Sequence, residues 1–319
     1  MHEHKPVLVE EVLEGLGLGP GPDASAPRAG LFIDATFGRG GHAARILSAL
    51  GADGRVLAID RDPQAVEAAR RRFESEPRLV VVRAAFGALA SLVAAHGQGR
   101  PVRGVLFDLG VSSPQLDDAA RGFSFQAAGP LDMRMDPSHG LSAAEWLAHA
   151  AADEIRDVIG SLGEERFAGR IARHIVEARA LEPIVTTSRL ADIVARAVPT
   201  RERGKNPATR TFQALRMHVN DELGELSRGL EASLDVLAPG GRLAVISFHS
   251  LEDRAVKHFI RRESQPDPAW ARLPVAPAFT PRLARVGRKV KASAAEVAAN
   301  PRSRSAILRV AERLPAVSA

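Results

Sequence analysis

The amino-acid sequence predicts an α/β fold in which an open, mainly parallel sheet carries an inserted helical domain. Short β-branched or aliphatic runs alternate with amphipathic stretches along much of the chain, which is typical of βαβ units. The alternation stops between about residues 143 and 198, where the periodicity is helical throughout. A length of 319 residues suits one core domain with a smaller domain inserted into it.

Six apolar runs are predicted to be the strands of this sheet. They are Leu31–Ile33, Arg55–Asp60, Leu79–Arg83, Val102–Asp108, Arg242–Phe248 and Ser305–Ala311. Helices are predicted at 42–50 and 86–95, and from Asp62-Pro63 onward. Asp62 suits the N-cap, and Pro63 suits the first helical position because no N–H is needed there. Residues 264–300 lack clear periodicity and are predicted to be loop.

The insertion is predicted to span 117–213, so that residues 1–116 and 214–319 form the main domain. Residues 111–145 are rich in Ser, Pro, Gly and Asp and are predicted to be a long ordered loop. A single helix is predicted over 211–237, ended by Pro239-Gly240-Gly241. Ser250 is predicted to cap the following helix, with an acid three residues later.

Composition narrows the class of protein and of partner. The chain has no cysteine, which excludes disulfides, thiolate metal sites and a thiol nucleophile. No stretch has the length or apolarity of a membrane span or a secretory signal, so a cytoplasmic protein is expected. The net charge of +5 favours a polyanionic partner, and basic residues concentrate at 199–218 and 282–291. A solvated basic face is the alternative for both stretches.

A glycine-rich turn follows the first strand and opens directly into a helix. The turn contains Gly38, Gly40 and Gly41, and His42 follows it. Asp60 ends the second strand 20 residues after Gly40, where a carboxylate can accept hydrogen bonds from ribose hydroxyls. Together these features predict a nucleoside cofactor on a Rossmann-like sheet. The spacing from Gly38 to Ala43 also fits a dinucleotide fingerprint, so a NAD-dependent oxidoreductase is an alternative.

The end of the fourth strand favours methyl transfer over hydride transfer. Asp108 is followed by small and polar residues up to Pro114. An acid in this position suits a target amine and the amino-acid tail of S-adenosylmethionine better than a nicotinamide. The alternative for Asp108 is a loop N-cap, and for His42 an ordinary residue of the first helical turn. His2 and His4 lack a third ligand at suitable spacing, so no metal site is predicted.

Motifs along nearly the whole chain resemble one bacterial enzyme family. The matching segments lie at 4–8, 34–42, 58–63, 108–118, 121–125, 129–137, 163–171, 206–213, 238–253 and 300–305. Several of these segments are too long to match by chance, for example Phe248-His249-Ser250-Leu251-Glu252-Asp253. The chain is similar to the methyltransferase H family, which methylates the N4 amine of a cytidine in 16S ribosomal RNA. Residues 19–28 and 264–285 depart from the family pattern.

The resemblance implies the cofactor S-adenosylmethionine and, as substrate, a cytidine in the decoding region of the small ribosomal subunit. It implies an S-adenosylmethionine-dependent methyltransferase sheet and leaves a homodimer open. The cofactor contacts that it implies are Gly40, Gly41, His42, Asp60, Phe86, Asp108 and Gln115. Phe86 would lie against the adenine, or would pack as a core residue below its own helix.

Asp108 is the candidate catalytic residue, because a carboxylate could orient the N4 amine and help to remove its proton. Its other predicted role is to hold only the amino group of the cofactor. His249 is a weaker candidate for a nucleotide contact. Methylation at cytosine C5 is excluded, since it needs a covalent nucleophile that a chain without cysteine lacks. A methyltransferase acting on DNA remains an alternative.

Overall fold

The structure is a computed structural model that describes residues 6–19, 28–199, 206–275 and 277–316. Its contacts divide the chain into two compact units. The first unit runs to Gly110 and resumes at Leu223, and the second is Val111–Glu222. These boundaries lie a few residues outside the predicted 117 and 213. The prediction that 117–213 is a separate domain stays a prediction.

The first unit is built on a seven-stranded sheet with the order β3-β2-β1-β4-β5-β7-β6. The strands are β1 Gly30–Asp34, β2 Gly54–Asp60, β3 Leu79–Arg83, β4 Val102–Asp108, β5 Leu237–Ser247, β6 Leu283–Lys291 and β7 Ile307–Arg313. Neighbouring strands from β3 to β5 are parallel, whereas β7 is antiparallel to both β5 and β6. The predicted α/β fold class is confirmed.

The described residues contain thirteen α-helices. They are α1 Val9–Gly15, α2 Gly41–Ala49, α3 Pro63–Arg72, α4 Leu89–His96, α5 Ser113–Asp117, α6 Ala143–His149, α7 Ala152–Gly163, α8 Ala168–Leu181, α9 Thr187–Ala197, α10 Thr209–Val219, α11 Glu222–Val236, α12 Ser250–Ser264 and α13 Ala294–Ala299. The predicted start of α3 is confirmed, since Asp62 Oδ1 accepts a hydrogen bond from Gln64 N at 2.9 Å and Pro63 is the first helical residue.

The central strands are mostly apolar because both faces of the sheet are covered. Side chains alternate across a strand, so Leu31 and Ile33 of β1 enter one core while Phe32 enters the other. The first core also contains residues of α11 and α12, and the second contains residues of α1 and α2.

Several predictions about elements are wrong. The predicted loop 111–145 contains the helix α5, and β5 begins at Leu237, five residues before the predicted Arg242. The segment 264–300 is not all loop, since it contains β6, which pairs with β7 at the sheet edge. The predicted helix 211–237 is two helices, because Asp221 adopts a left-handed conformation (φ 48°) that interrupts the α-helical backbone. The last predicted strand begins at Ile307 instead of Ser305, because residues 301–305 form a 3₁₀ turn.

The second unit is helical and has its own core. Apolar side chains from α6 to α10 form this core, in which α7 packs against both α8 and α10. Within the described ranges, no helix is long and apolar enough to cross a membrane. The basic stretch predicted at 199–218 lies partly outside the described residues, as do His2, His4 and most of the segment 19–28.

Candidate active site at the carboxyl edge of the sheet

The strand order reverses direction between β1 and β4, and the candidate site lies at that point. From β1 the chain proceeds outward to β2 and β3, whereas β4 and β5 lie on the other side of β1. Ligands of open parallel sheets bind in the crevice outside the carboxyl ends of the strands at such a reversal. Three adjacent strands end here in an acid, Asp34 in β1, Asp60 in β2 and Asp108 in β4.

The glycine turn lies directly after β1 and has steric reasons for its glycines. Gly38 (φ 55°) and Gly40 (φ 73°) adopt left-handed conformations that other residues enter only with strain. A Cβ on Gly40 would lie 2.4 Å from Cζ of Phe37, and a Cβ on Gly41 would lie 2.8 Å from Cγ of Pro6. The turn can therefore close only with glycine at both positions. Gly40 is also the N-cap of α2, and no side chain of the described residues caps that helix end.

Asp60 connects β2 to the glycine turn. Its Oδ2 accepts a hydrogen bond from Gly38 N at 2.7 Å, and its Oδ1 accepts one from Asp62 N at 2.9 Å. Burial raises the pKa of Asp60 to about 6, although both backbone hydrogen bonds lower it. Each carboxylate oxygen keeps a further lone pair. Asp60 thus holds the turn and can still accept a hydrogen bond from a ligand hydroxyl.

Asp34 is a site residue that sequence reasoning gave no role. It is 1% exposed, and its Oδ1 accepts a hydrogen bond from Thr36 N at 3.3 Å. Thr36 Oγ1 in turn accepts one from Asp108 N at 2.6 Å, which ties β1 to β4. Burial raises the pKa of Asp34 to about 7, with His42 opposing the shift and Asp108 adding to it. An acid at the end of each of three neighbouring strands was the signal that could have identified it.

His42 is buried in the first turn of α2 and faces Asp108. Its Nε2 lies 3.4 Å from Asp108 Oδ2. Burial alone lowers the pKa of an imidazole, but hydrogen bonding and attraction to Asp108, followed by the charges of Asp34 and Glu296, raise the pKa of His42 above its ordinary value. His42 is thus an electrostatic partner of Asp108 rather than an ordinary helix residue. Its contact with a cofactor stays a prediction.

Two buried carboxylate oxygens of this crevice, Asp34 Oδ2 and Asp108 Oδ1, have no hydrogen-bond partner in the part of the chain that the structure describes. A third buried atom, His42 Nε2, has only its 3.4 Å ion-pair contact with Asp108 Oδ2. Unpaired buried polar atoms are rare in proteins, and two such oxygens in one place indicate a missing ligand. Since both oxygens belong to carboxylates, the crevice suits a ligand that carries positive charge and hydrogen-bond donors.

Phe86 lies just after β3, half-buried, and packs into the core of the first unit. Its ring makes an edge contact with Phe107, with the centroids 5.2 Å apart. A Cβ on Gly229 of α11 would lie 2.8 Å from Phe86 Cδ2, so the ring also fits closely against that helix. The structure therefore shows the packing role that the sequence left open. The contact with adenine stays a prediction.

Gln115 and His249, which the sequence offered as ligand contacts, form capping hydrogen bonds at the starts of two helices. Gln115, in the second unit, accepts a hydrogen bond from Ser112 N at 2.9 Å and so caps α5. Ser250 does not cap α12 as predicted. The N-cap is His249, whose Nδ1 accepts from Glu252 N at 3.4 Å while Glu252 Oε2 accepts from His249 N at 3.3 Å. The helix begins at Ser250 itself, which puts Glu252 at the capping-box position.

Known proteins resemble this chain over almost its whole length. The Ribosomal RNA small subunit methyltransferase H of Bordetella pertussis is 52% identical, covering 98% of this chain and 89% of its own. The protein of the same name from Xanthomonas euvesicatoria is 51% identical with the same coverage. The alignment with the crystal structure of a rRNA methylase from Streptococcus thermophilus covers 99% of both chains at 12% identity and a TM-score of 0.43.

The match to a family model extends over residues 1–314, and the model is described as the MraW methylase family. This match agrees with the resemblance seen in the sequence motifs and confirms the prediction of a methyltransferase. It leaves the alternative of a NAD-dependent oxidoreductase without support. On both grounds the chain belongs to the MraW methylase family.

Proposed function

We propose that this chain transfers the methyl group of S-adenosylmethionine to the N4 amine of a cytidine in the decoding region of 16S ribosomal RNA. Membership of the MraW methylase family supports methyl transfer, and the name of the relatives supports small-subunit RNA as the substrate. The structural observation that carries the proposal is the crevice of Asp34, His42 and Asp108 with its unpaired polar atoms. Its place of action is the cytoplasm, which holds the ribosomes.

The residues of the crevice fit S-adenosylmethionine. When bound, this cofactor supplies a methyl group on a positively charged sulfur. Asp60 has lone pairs available for ribose hydroxyls, and the acids at the strand ends favour a cationic ligand. The other proposed contacts with the cofactor come from the glycine turn and the start of α2, the segment after β3, the end of β4 and α5. These residues are Gly40, Gly41, His42, Phe86, Asp108 and Gln115.

Asp108 is the proposed catalytic residue, and its two oxygens differ. Oδ2 faces the His42 ring, whereas Oδ1 is buried with no partner among the described residues. Oδ1 can therefore accept a hydrogen bond from the N4 amine, orient it, and take its proton as the new N–C bond forms. His42, whose pKa is raised, holds the carboxylate in place through Oδ2. The lone pair of N4 is delocalised into the cytosine ring, so this assistance matters.

Methylation of the exocyclic amine also fits the absence of cysteine from the sequence. Methylation of cytosine C5 proceeds through a covalent adduct, usually with a cysteine thiolate, and this chain has no cysteine. Transfer to an amine needs position and proton removal only, which the crevice provides. The target base must leave its stack to reach the crevice, which costs little in a loop.

Mass spectrometry of 16S RNA from cells with and without the protein tests the substrate. We expect N4-methylcytidine to be lost in the deletion strain and restored by the wild-type gene. Restoration by an Asp108→Asn variant to the wild-type level would contradict the catalytic role. Purified protein offered ribosomal RNA or duplex DNA should methylate the RNA alone.

Light scattering of the same preparation decides whether the chain is a homodimer, which stays a prediction.

Kinetics of Asp108→Asn separate the two roles of this residue. If Asp108 acts on the amine, kcat falls by about 100-fold or more while the affinity for S-adenosylmethionine changes little. If it only holds the cofactor, the affinity falls and kcat at saturation does not. Asp235→Asn is the matched control, since Asp235 is an exposed residue of α11 away from the crevice. Its kinetics should equal those of the wild type.

A further inference from the structure

The second unit contains a cavity of about 410 Å³ that the methyl-transfer site does not use. It is an open depression at the protein surface, not an enclosed chamber. It lies beside the first turns of α7 and α8. Four arginines and one acid supply its charge, and these residues are Arg156, Arg166, Arg170, Arg173 and Asp153.

Two of these arginines lie in the first two turns of α8, and a third lies just before the helix. Arg170 and Arg173 are three residues apart, which places them on one side of α8, whereas Arg166 precedes the N-cap Phe167. The positive end of the helix dipole lies there, and α8 has no acid in its first turn. By contrast, α7 carries Asp153 and Glu154 in its first turn. The arrangement on α8 opposes helix stability, and a bound anion would reverse that effect.

The four guanidinium groups differ in how they are held. Arg156 pairs with Asp153 at 2.5 Å and with Asp157 at 2.8 Å. The guanidinium of Arg166 lies 4.6 Å from the centre of the Phe167 ring. Arg170 and Arg173 are exposed, and no carboxylate among residues 28–199 or the other described ranges forms an ion pair with them. Two charged groups therefore line the cavity without a counter-charge of their own.

We propose that this cavity binds the phosphodiester backbone of the substrate RNA, with Arg170 and Arg173 contacting phosphates. The inference rests on the proposed function, because it takes ribosomal RNA as the substrate. Guanidinium groups bind phosphate oxygens through two parallel hydrogen bonds, which a planar fork allows. The depression is open to the surface, so a phosphodiester backbone can reach these side chains. Arg156 and Arg166 are already held by neighbours and define the walls.

The test is the affinity of an Arg170→Gln/Arg173→Gln double variant for a 16S RNA fragment that contains the target cytidine. Binding is measured by filter retention over a series of salt concentrations. We expect the affinity to fall by about tenfold or more near 0.1 M salt, and the slope of log K against log salt to flatten by about 1.4 to 1.8. Calorimetry with S-adenosylmethionine should give wild-type affinity, which shows that the variant is folded.

The matched control is the Arg70→Gln/Arg196→Gln double variant, which removes the same charge. Both side chains are exposed, neither lines the cavity, and neither forms an ion pair with a described residue. It should keep the affinity and slope of the wild type. Equal losses in both double variants, or no loss in the first, would overturn the cavity assignment. The wild type is measured first. If it neither binds nor methylates the RNA, the proposed function itself fails.

Discussion

Asp34→Asn is expected to make the protein more stable above neutral pH and slower in methyl transfer. Asp34 is 1% exposed, and its Oδ2 has no hydrogen-bond partner within the described ranges. Burial raises the pKa of Asp34 to about 7, and the neighbouring Asp108 and Asp60 add to the shift. At higher pH the folded protein must therefore keep a buried charge that the unfolded chain exposes to water. An asparagine has no such charge, and its Oδ1 still accepts the hydrogen bond of Thr36 N.

The size of the effect follows from the pKa. The value rises from 3.8 to about 7, so between these pH values the folded state retains a proton that the unfolded chain has released. The free energy of unfolding must then fall as the pH rises through this window. One pKa unit corresponds to about 1.36 kcal/mol, which sets a ceiling of about 4 kcal/mol. We expect Asp34→Asn to gain about 2 to 4 kcal/mol near pH 8 and close to nothing near pH 4.

Urea unfolding of the wild type and of Asp34→Asn near pH 4, 6 and 8 measures this gain. Asp53→Asn is the control, since Asp53 is exposed and its substitution should leave stability unchanged at each pH. A gain that is absent near pH 8, or that is the same near pH 4, would refute the argument. Methyl transfer by Asp34→Asn should be slower, because the residue that favours a protonated His42 has lost its charge.

Two further perturbations test the turn and the basic strand. Gly40→Ala should lose about 2 to 4 kcal/mol of stability, because it adds a clash with Phe37 to the strain of a positive φ. Gly99→Ala is the control for backbone strain alone, since Gly99 has φ 67° and a Cβ there would have no atom within 4 Å. If both variants lose the same stability in thermal denaturation, the clash with Phe37 is contradicted. Replacing three exposed basic residues of β6 by glutamine should weaken RNA binding and flatten its salt dependence, whereas an unchanged slope indicates a solvated strand. These residues are Arg285, Arg288 and Lys289.

The parallel part of the sheet could be predicted because its central strands are buried on both faces and its edge strand β3 is a short run of Leu and Val. The bounds of β3 and β4 are those predicted, and β2 begins only one residue earlier. A strand covered on both sides must be apolar at successive positions, which gives a local signal. Acids and glycines then interrupt that signal where the strands meet solvent.

The strand β6 could not be predicted in this way. It lies at the edge of the sheet and contains mostly exposed or half-exposed residues, including the basic residues of 282–291. Its pairing with β7 shifts register between Val286 and Val290, around Gly287 with φ 62°. A charged edge strand with an irregularity lacks both apolar continuity and clean alternation. Only its pairing with a strand about 20 residues later defines it.

The candidate site was predictable where one segment carries the whole signal, and not where two segments must meet. The glycine turn and the acid after β2 form a recognisable pattern, and Asp60 does contact that turn. The proximity of His42 to Asp108 depends on the pairing of β1 with β4, which residue spacing does not encode. Asp34 was overlooked because an acid before a glycine turn also suits a plain strand end.

The same electrostatics explain why the site retains acids that oppose its own folding. Asp34, Asp60 and Asp108 lie at the ends of three adjacent strands, and mutual repulsion adds to burial in raising the pKa of Asp34. A group whose proton affinity is raised in this way loses protons when a cation enters beside it, since the cation stabilises the carboxylate. Binding of a cationic ligand and ionisation of the crevice are therefore coupled. The free energy of folding that the buried acids cost the free protein is recovered when the cationic ligand binds. The ionised acids then attract the ligand and can receive a proton from the amine that accepts the methyl group.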